Sequence, residues 1–251
     1  SGMTASDAGT TAPKNNIPGR EEDIQPGFMT VLYPEGANVD ATIVKPEKAP
    51  NSTGRRTALA KWITNPDNPL TTRVVVNRIW QYHFGRGLAA NPNDFGKLGE
   101  APTHPELLDW LVKRFIESGW KFKPMHKLIM MSQTYRQATM HKNISAAMNI
   151  DPLNQNLWRM NNKRQEAEVI RDSMLYVSGE LKHRDNGGAS VSGTSPLRSV
   201  YVKVIRNQKD EFLNAFDWAD AFASNSVRNV TTTPIQSLLM INGDWVMKRS
   251  K

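Results

Sequence analysis

Between residues 55 and 139 apolar side chains recur at helical spacing, but Asn, Pro and Gly keep cutting the runs short. This alternation restricts the chain to short helices joined by turns and argues against a sheet, which would need period-two strands. Ala58, Leu59, Trp62 and Ile63 mark a helix over residues 57–64, and Asn65-Pro66-Asp67-Asn68-Pro69 stops it because each proline disfavours a helical residue before it. A second helix, from just after Thr71 to about Phe84, carries Val75, Ile79 and Tyr82 on one stripe and Val76, Trp80 and Phe84 beside it. Gly85, Gly87 and the run Asn91-Pro92-Asn93-Asp94-Phe95-Gly96 then break the chain.

Thr103 with Glu106 three residues on reads as a capping box opening a third helix, whose buried face is Leu107, Leu108, Leu111, Val112 and Phe115 and whose end is Gly119. A fourth helix is expected from Pro124 to Tyr135, with Met125, Leu128, Ile129 and Ser132 along one side. A long fifth helix is expected over residues 161–181, packed through Ile170, Met174, Val177 and Leu181. Arg164, Glu166, Glu168, Arg171 and Asp172 fill its outer face, Glu168, Arg171 and Asp172 as surface ion pairs. Residues 182–197 read as a flexible Gly/Ser loop, residues 199–206 as a lone strand, and Thr233-Pro234 as the entry to a last helix carrying Ile235, Leu238 and Leu239. Residues 1–54, rich in Pro, Gly, Asn and Thr, read as an extended or partly disordered lead-in with one strand-like patch at 28–33. The expectation is a mainly α, irregular multi-helix domain over residues 55–251, with long loops and minor β.

No apolar run approaches the length of a membrane span, and the absence of cysteine excludes disulfides, thiolate metal sites and c-type haem attachment within this chain. From Arg55 onward 28 Lys and Arg face 17 Asp and Glu, a balance of +11 that favours polyanionic partners. Nucleic acid is one such partner. Its recognition element by analogy with helix-turn-helix would be the fourth helix, which is too apolar to read base edges. Five histidines without a His-x-x-x-His pair give no metal spacing, and neither a G-x-S-x-G elbow nor a phosphate loop is present, so no cofactor is expected.

The ordered blocks Arg55-Arg56-x-Ala58-Leu59-Ala60-x-Trp62, Asn77-Arg78-Ile79-Trp80, Phe84-Gly85-Arg86-Gly87-Leu88, Asn93-Asp94-Phe95-Gly96 and His104-Pro105-Glu106-Leu107-Leu108-Asp109-Trp110-Leu111 resemble a bacterial domain of unknown function. Ser132-x-Thr134-Tyr135-Arg136-Gln137, Glu168-x-Ile170-Arg171-Asp172 and Arg228-Asn229-Val230-Thr231-Thr232 extend the likeness. The family is usually found as the C-terminal part of planctomycete-type cytochrome c proteins. The resemblance implies a non-haem module of an exported assembly, periplasmic or secreted, with a cytochrome-type or cell-envelope partner. It supplies no mechanism. A cysteine common in the family just before the position of Arg228 is missing, and the family pattern tends to run past Asn242, which implies a shortened member or a fragment.

The polar residues of this stretch mark where function is to be sought. Arg73, Asn77, Arg78, Trp80, His83 and Arg86 are the expected ligand-binding set, for a partner or an anionic, carbohydrate-type ligand such as a polyanionic glycan. On the second helix Arg73, Asn77 and Trp80 share a face. An enzymatic alternative, a cofactor-independent hydrolase or lyase, would use His104 with Asp94 or Asp109, because a helix N-terminus disfavours protonated imidazole and keeps a neutral base available. The same residues also read as helix caps and loop ties.

Overall fold

The computed structural model describes residues 54–250 apart from Lys97, His141 and Asn186, together with Phe28 and Leu32. The expected lead-in and all but those two residues of the patch at 28–33 lie outside the described residues. The chain divides into two compact units, residues 1–75 and 76–251, and the division falls inside a helix.

In the first unit α1 (Arg55–Ile63) stops where Thr64 turns back, its N–H and hydroxyl both donating to the Ala60 carbonyl. The buried Asn68 does the work of the Asn/Pro stop. Its amide donates to the Trp62 carbonyl at 3.1 Å, while its Oδ1 accepts the N–H groups of Leu70 (3.0 Å) and Thr71 (3.2 Å), which open α2 (Thr71–Phe84). Phe28 stacks on Trp62 with ring centroids 5.2 Å apart.

In the second unit the later turns of α2 bury Val76, Ile79, Trp80 and Phe84. α3 (Pro105–Glu117) buries Leu108, Leu111, Val112 and Phe115, and packs against α4 (Phe122–Met130), which buries Met125 and Ile129. The α3 end is a Schellman turn. Gly119, at φ 71°, donates to Ile116 O, Trp120 donates to Phe115 O, and the Trp120 ring packs on Phe115 at 5.7 Å. Beyond a short α5 (Ile144–Ile150), α6 (Ala167–Val177) packs on α7 (Glu211–Ala215) and on a 3-10 turn at Ser199–Tyr201. α8 (Pro234–Asn242) meets α7 and α9 (Asp244–Met247). Ala167, Leu213 and Phe216 form the core here. The fold is mainly α with long loops; among the described residues the only β pairing is isolated bridges.

Five expectations are corrected. The cap of α3 is His104, not Thr103: Pro105 holds the preceding residue out of the helix, and Thr103 is spent on the Leu88 carbonyl through its N–H (2.9 Å). α4 ends at Met130, because the Ser132 hydroxyl turns back to the Ile129 carbonyl at 2.7 Å and accepts the Tyr135 N–H. The long fifth helix shrinks to α6, since residues 161–166 are held extended by bonds described below. Its fully buried stripe is Ala167, Arg171 and Leu175; of the expected face Ile170 does pack on the core and Met174 is half-buried, but Val177 is 84% exposed. The lone strand at 199–206 is instead the 3-10 turn followed by single bridges, Val191 with Val202 and Ile205 with Gln208.

The fifth concerns Arg171, whose pair with Asp172, at 3.5 Å, lies beneath the surface rather than on it. It is 1% exposed, and its guanidinium donates to the carbonyls of Gly193, Ser195 and Leu197 and to the Ser199 hydroxyl. Burial lowers its pKa, against the charges of Asp172 and Asp210. Asp172 accepts the Ser199 N–H and hydroxyl, each at 2.7 Å. The Gly/Ser segment that reads as flexible is therefore strung on one arginine at residues 193–199.

Candidate functional site

A helix that stops must dispose of its last carbonyls. In α2 the segment 161–166 meets them: Asn161 donates its amide to Phe84 O at 3.0 Å and Lys163 its ammonium to Tyr82 O. Cationic and amide donors also suit the negative end of a helix dipole. Gly85, at φ 87°, turns the chain away. The returning strand of loop is fixed by Asn77, fully buried, whose amide donates to Ala89 O and whose Oδ1 accepts Ala89 N–H, both at 2.9 Å. A β-carbon on Gly87 would stand 2.7 Å from the Asn77 amide nitrogen and 2.5 Å from Ala89 O, so that position admits glycine alone.

The facing wall is the loop 151–161. Asp151 accepts the N–H groups of Gln155 (2.9 Å) and Asn156 (2.8 Å), and its carbonyl accepts Trp158 Nε1. The Asn156 N–H leads the effects that hold its carboxyl below the usual range against burial, with Gln155, the Asn156 amide and the charge of His104 adding to it. Buried Asn154 ties the loop across itself, donating to Arg159 O and Asn161 Oδ1 at 2.8 Å each.

Between the walls lies a cleft of about 510 Å³ whose lining includes Trp80, Arg86, Asn154, Arg159, Lys163 and Arg164. Four of its lining side chains are cationic and none is acidic. Arg159 stacks on Trp158 at 5.2 Å and buries its Nε without a hydrogen bond; among the described residues no carboxylate meets it. Among the described residues Arg86 pairs only with Glu100, at 3.3 Å and with both side chains solvent-exposed, a contact worth less than about 1 kcal/mol and easily exchanged for another anion.

A second cleft of about 280 Å³ adjoins the first, sharing Gly85, Lys163, Arg164 and Val230. Two of its three cations, Arg164 and Arg228, are paired with carboxylates. Arg164 donates to the Asp217 carboxylate, the Thr231 carbonyl and Gln236 Oε1. Burial pushes the Asp217 carboxyl up, but the Thr231 N–H and hydroxyl and the Arg164 guanidinium outweigh it and hold it below the ordinary range. Arg228 donates twice to Glu168, at 2.6 and 2.9 Å, and lies 3.8 Å from Glu166. Burial works against the charged Arg228, and these carboxylates more than compensate, raising its pKa.

Of the residues singled out in the sequence, Trp80 and Arg86 line the first cleft and Asn77 braces its wall. Arg78 donates to Asn93 Oδ1, and Arg73, in the first unit, to Pro69 O. His83 pairs with His126, nitrogen to nitrogen at 2.9 Å, with its pKa lowered by burial first and then by His126 and Lys163. His104 meets the Thr103 hydroxyl at 3.0 Å, Asp94 Oδ1 accepts the Gly96 N–H, and Asp109 stands on the exposed side of α3; none of these three lines the first cleft. Arg159, Lys163 and Arg164 had no signal in the sequence beyond their charge. Among the described residues no group of three or more His, Asp or Glu is arranged to hold a metal, and no helix is long and apolar enough to cross a membrane.

Residues 55–251 match the model of a family described as PSD1, protein of unknown function (DUF1553), a name consistent with the planctomycete cytochrome c association. No curated protein and no solved structure matches the chain.

Proposed function

The chain belongs to the PSD1 family of unknown function, and from that premise we propose that residues 55–251 act as one module of an exported assembly that binds an anionic, carbohydrate-type ligand in the cleft between Gly85 and Arg159. The observation that carries this reading is the imbalance of the cleft: Arg86, Arg159, Lys163 and Arg164 line it with no carboxylate in the lining, and although Asp217 holds Arg164 from outside, Arg86 has only an exposed pair and among the described residues no carboxylate meets Arg159 or Lys163. The planar fork of the Arg159 guanidinium suits a carboxylate or sulfate. Gln155 and Asn162 add amides beside the cations, donors and acceptors that suit hydroxyls. The volume falls in the range of small-ligand sites.

The test is an NMR titration with glucuronic acid, with glucose as the uncharged control. Glucuronic acid binds, more weakly as salt is raised, and glucose does not. Arg159→Gln weakens the acid by about tenfold, the loss of one charge-assisted hydrogen bond. Equal response to both sugars, or no response to either, overturns the reading.

A further inference from the structure

The two adjoining clefts differ in charge in a way that specifies the ligand further, and this inference rests on the reading just given. In the first, no lining side chain opposes an anion. In the second, the lining includes Glu166 and Asp217, and Arg228 and Arg164 are already held by Glu168 and Asp217. An anionic group there would meet two carboxylates, and of the three cations two are held by carboxylates, leaving Lys163, bonded to the Tyr82 carbonyl, as the one that is not, so an anion is less favoured there than in the first cleft. What the second cleft does offer is uncharged polarity: Gln81, Gln165, Asn225, Asn229 and the exposed Tyr82 ring and hydroxyl. Such groups hydrogen-bond hydroxyls, and a tyrosine face covers the apolar side of a sugar ring. The clefts meet at Gly85, Lys163, Arg164 and Val230, and at Gly85 no side chain fills the junction.

We infer that the ligand is a sparsely charged saccharide chain: one acidic residue sits in the first cleft and a neutral, hydroxyl-rich neighbour crosses Gly85 into the second. The clefts thereby select against uniformly charged polymers, whose adjacent anion would face Glu166 and Asp217.

Titration calorimetry on the whole chain tests this with four probes: glucuronic acid, a disaccharide of glucuronic acid joined to a neutral sugar, that disaccharide with a sulfate in place of the carboxylate, and a diuronic acid. The mixed disaccharide binds at least about tenfold tighter than glucuronic acid, and the diuronic acid gains nothing over it. Asn229→Ala, an exposed side chain in the second cleft, removes that gain and leaves glucuronic acid unchanged, whereas Arg159→Gln weakens both. Whichever of the carboxylated and sulfated disaccharides binds tighter identifies the acidic group, and either supports the inference. Equal affinity for monosaccharide and mixed disaccharide, or a diuronic acid that binds tightest, overturns it while leaving the anion-binding reading in place. Failure of every acidic probe overturns both.

Discussion

Replacing Arg171 by methionine keeps the bulk of the side chain and removes every donor, and the structure sets the size of the loss. Three backbone carbonyls, those of Gly193, Ser195 and Leu197, and the Ser199 hydroxyl take bonds of 2.6 to 3.3 Å from the guanidinium. Each charge-assisted bond is worth roughly 1.5–3 kcal/mol, and each buried acceptor left bare costs about 1–3 kcal/mol. These do not add in full, because the loop can move to water and the desolvation of the guanidinium is relieved. A net loss of about 3–5 kcal/mol is expected, in line with other broken buried charge networks. Urea unfolding followed by tryptophan fluorescence measures it. Amide exchange then localises the effect to the bridges that the loop makes, Val191 N–H to Tyr201 O and Lys203 N–H to Val191 O. Arg171→Lys recovers part of the loss, since an ammonium cannot reach all four acceptors from one point. A cost below about 1 kcal/mol, with exchange at Val191 and Lys203 unchanged, is what an exposed ion pair would give and would refute the caged-arginine account.

Two further outcomes follow from the same structure. His83 has its folded pKa lowered by burial, His126 and Lys163, so below the ordinary value of 6.5 the unfolded chain binds the extra proton more readily. Stability therefore declines as pH falls through 6.5 toward the lower folded pKa, and His83→Gln flattens that part of a urea-unfolding series between pH 7.5 and 5.5; an unchanged slope would contradict the assignment. Gly87→Ala places a β-carbon against Asn77 and Ala89 O, and costs about 1–3 kcal/mol in thermal or urea unfolding, with ligand affinity reduced as the cleft wall shifts; a neutral substitution would mean that the wall gives way freely.

Periodicity carried the elements with clear apolar stripes. α2, α3 and the entry to α8 follow from Val76, Trp80, Leu108, Phe115 and the Thr233-Pro234 cap because local spacing and cap chemistry decide them. The failures occur where distant groups override local preference. Residues 161–166 read as the first turns of the helix whose apolar stripe begins at Ile170, yet Asn161 and Lys163 go to the carbonyls that end α2, some eighty positions earlier. Arg171 reads as the outer face of a helix because charge suggests solvent, and only the fold brings three carbonyls round it. The cleft was half legible: Trp80 and Arg86 stand in a conspicuous polar and aromatic stretch, whereas Arg159, Lys163 and Arg164 come from a segment whose role depends on tertiary pairing.

The anion-binding account stands most directly on the guanidinium of Arg159, in a cleft without acidic lining. Its Nε is buried, which slows exchange of the Nε–H with water, so it is observable as an arginine side-chain resonance in a ¹⁵N–¹H spectrum, assigned by its loss in Arg159→Gln. Titration with the disaccharide of glucuronic acid and a neutral sugar should shift that resonance saturably as an anion settles against the guanidinium, with the neutral disaccharide leaving it in place. A resonance that stays fixed through the acidic titration, or moves equally with the neutral sugar, would contradict the account.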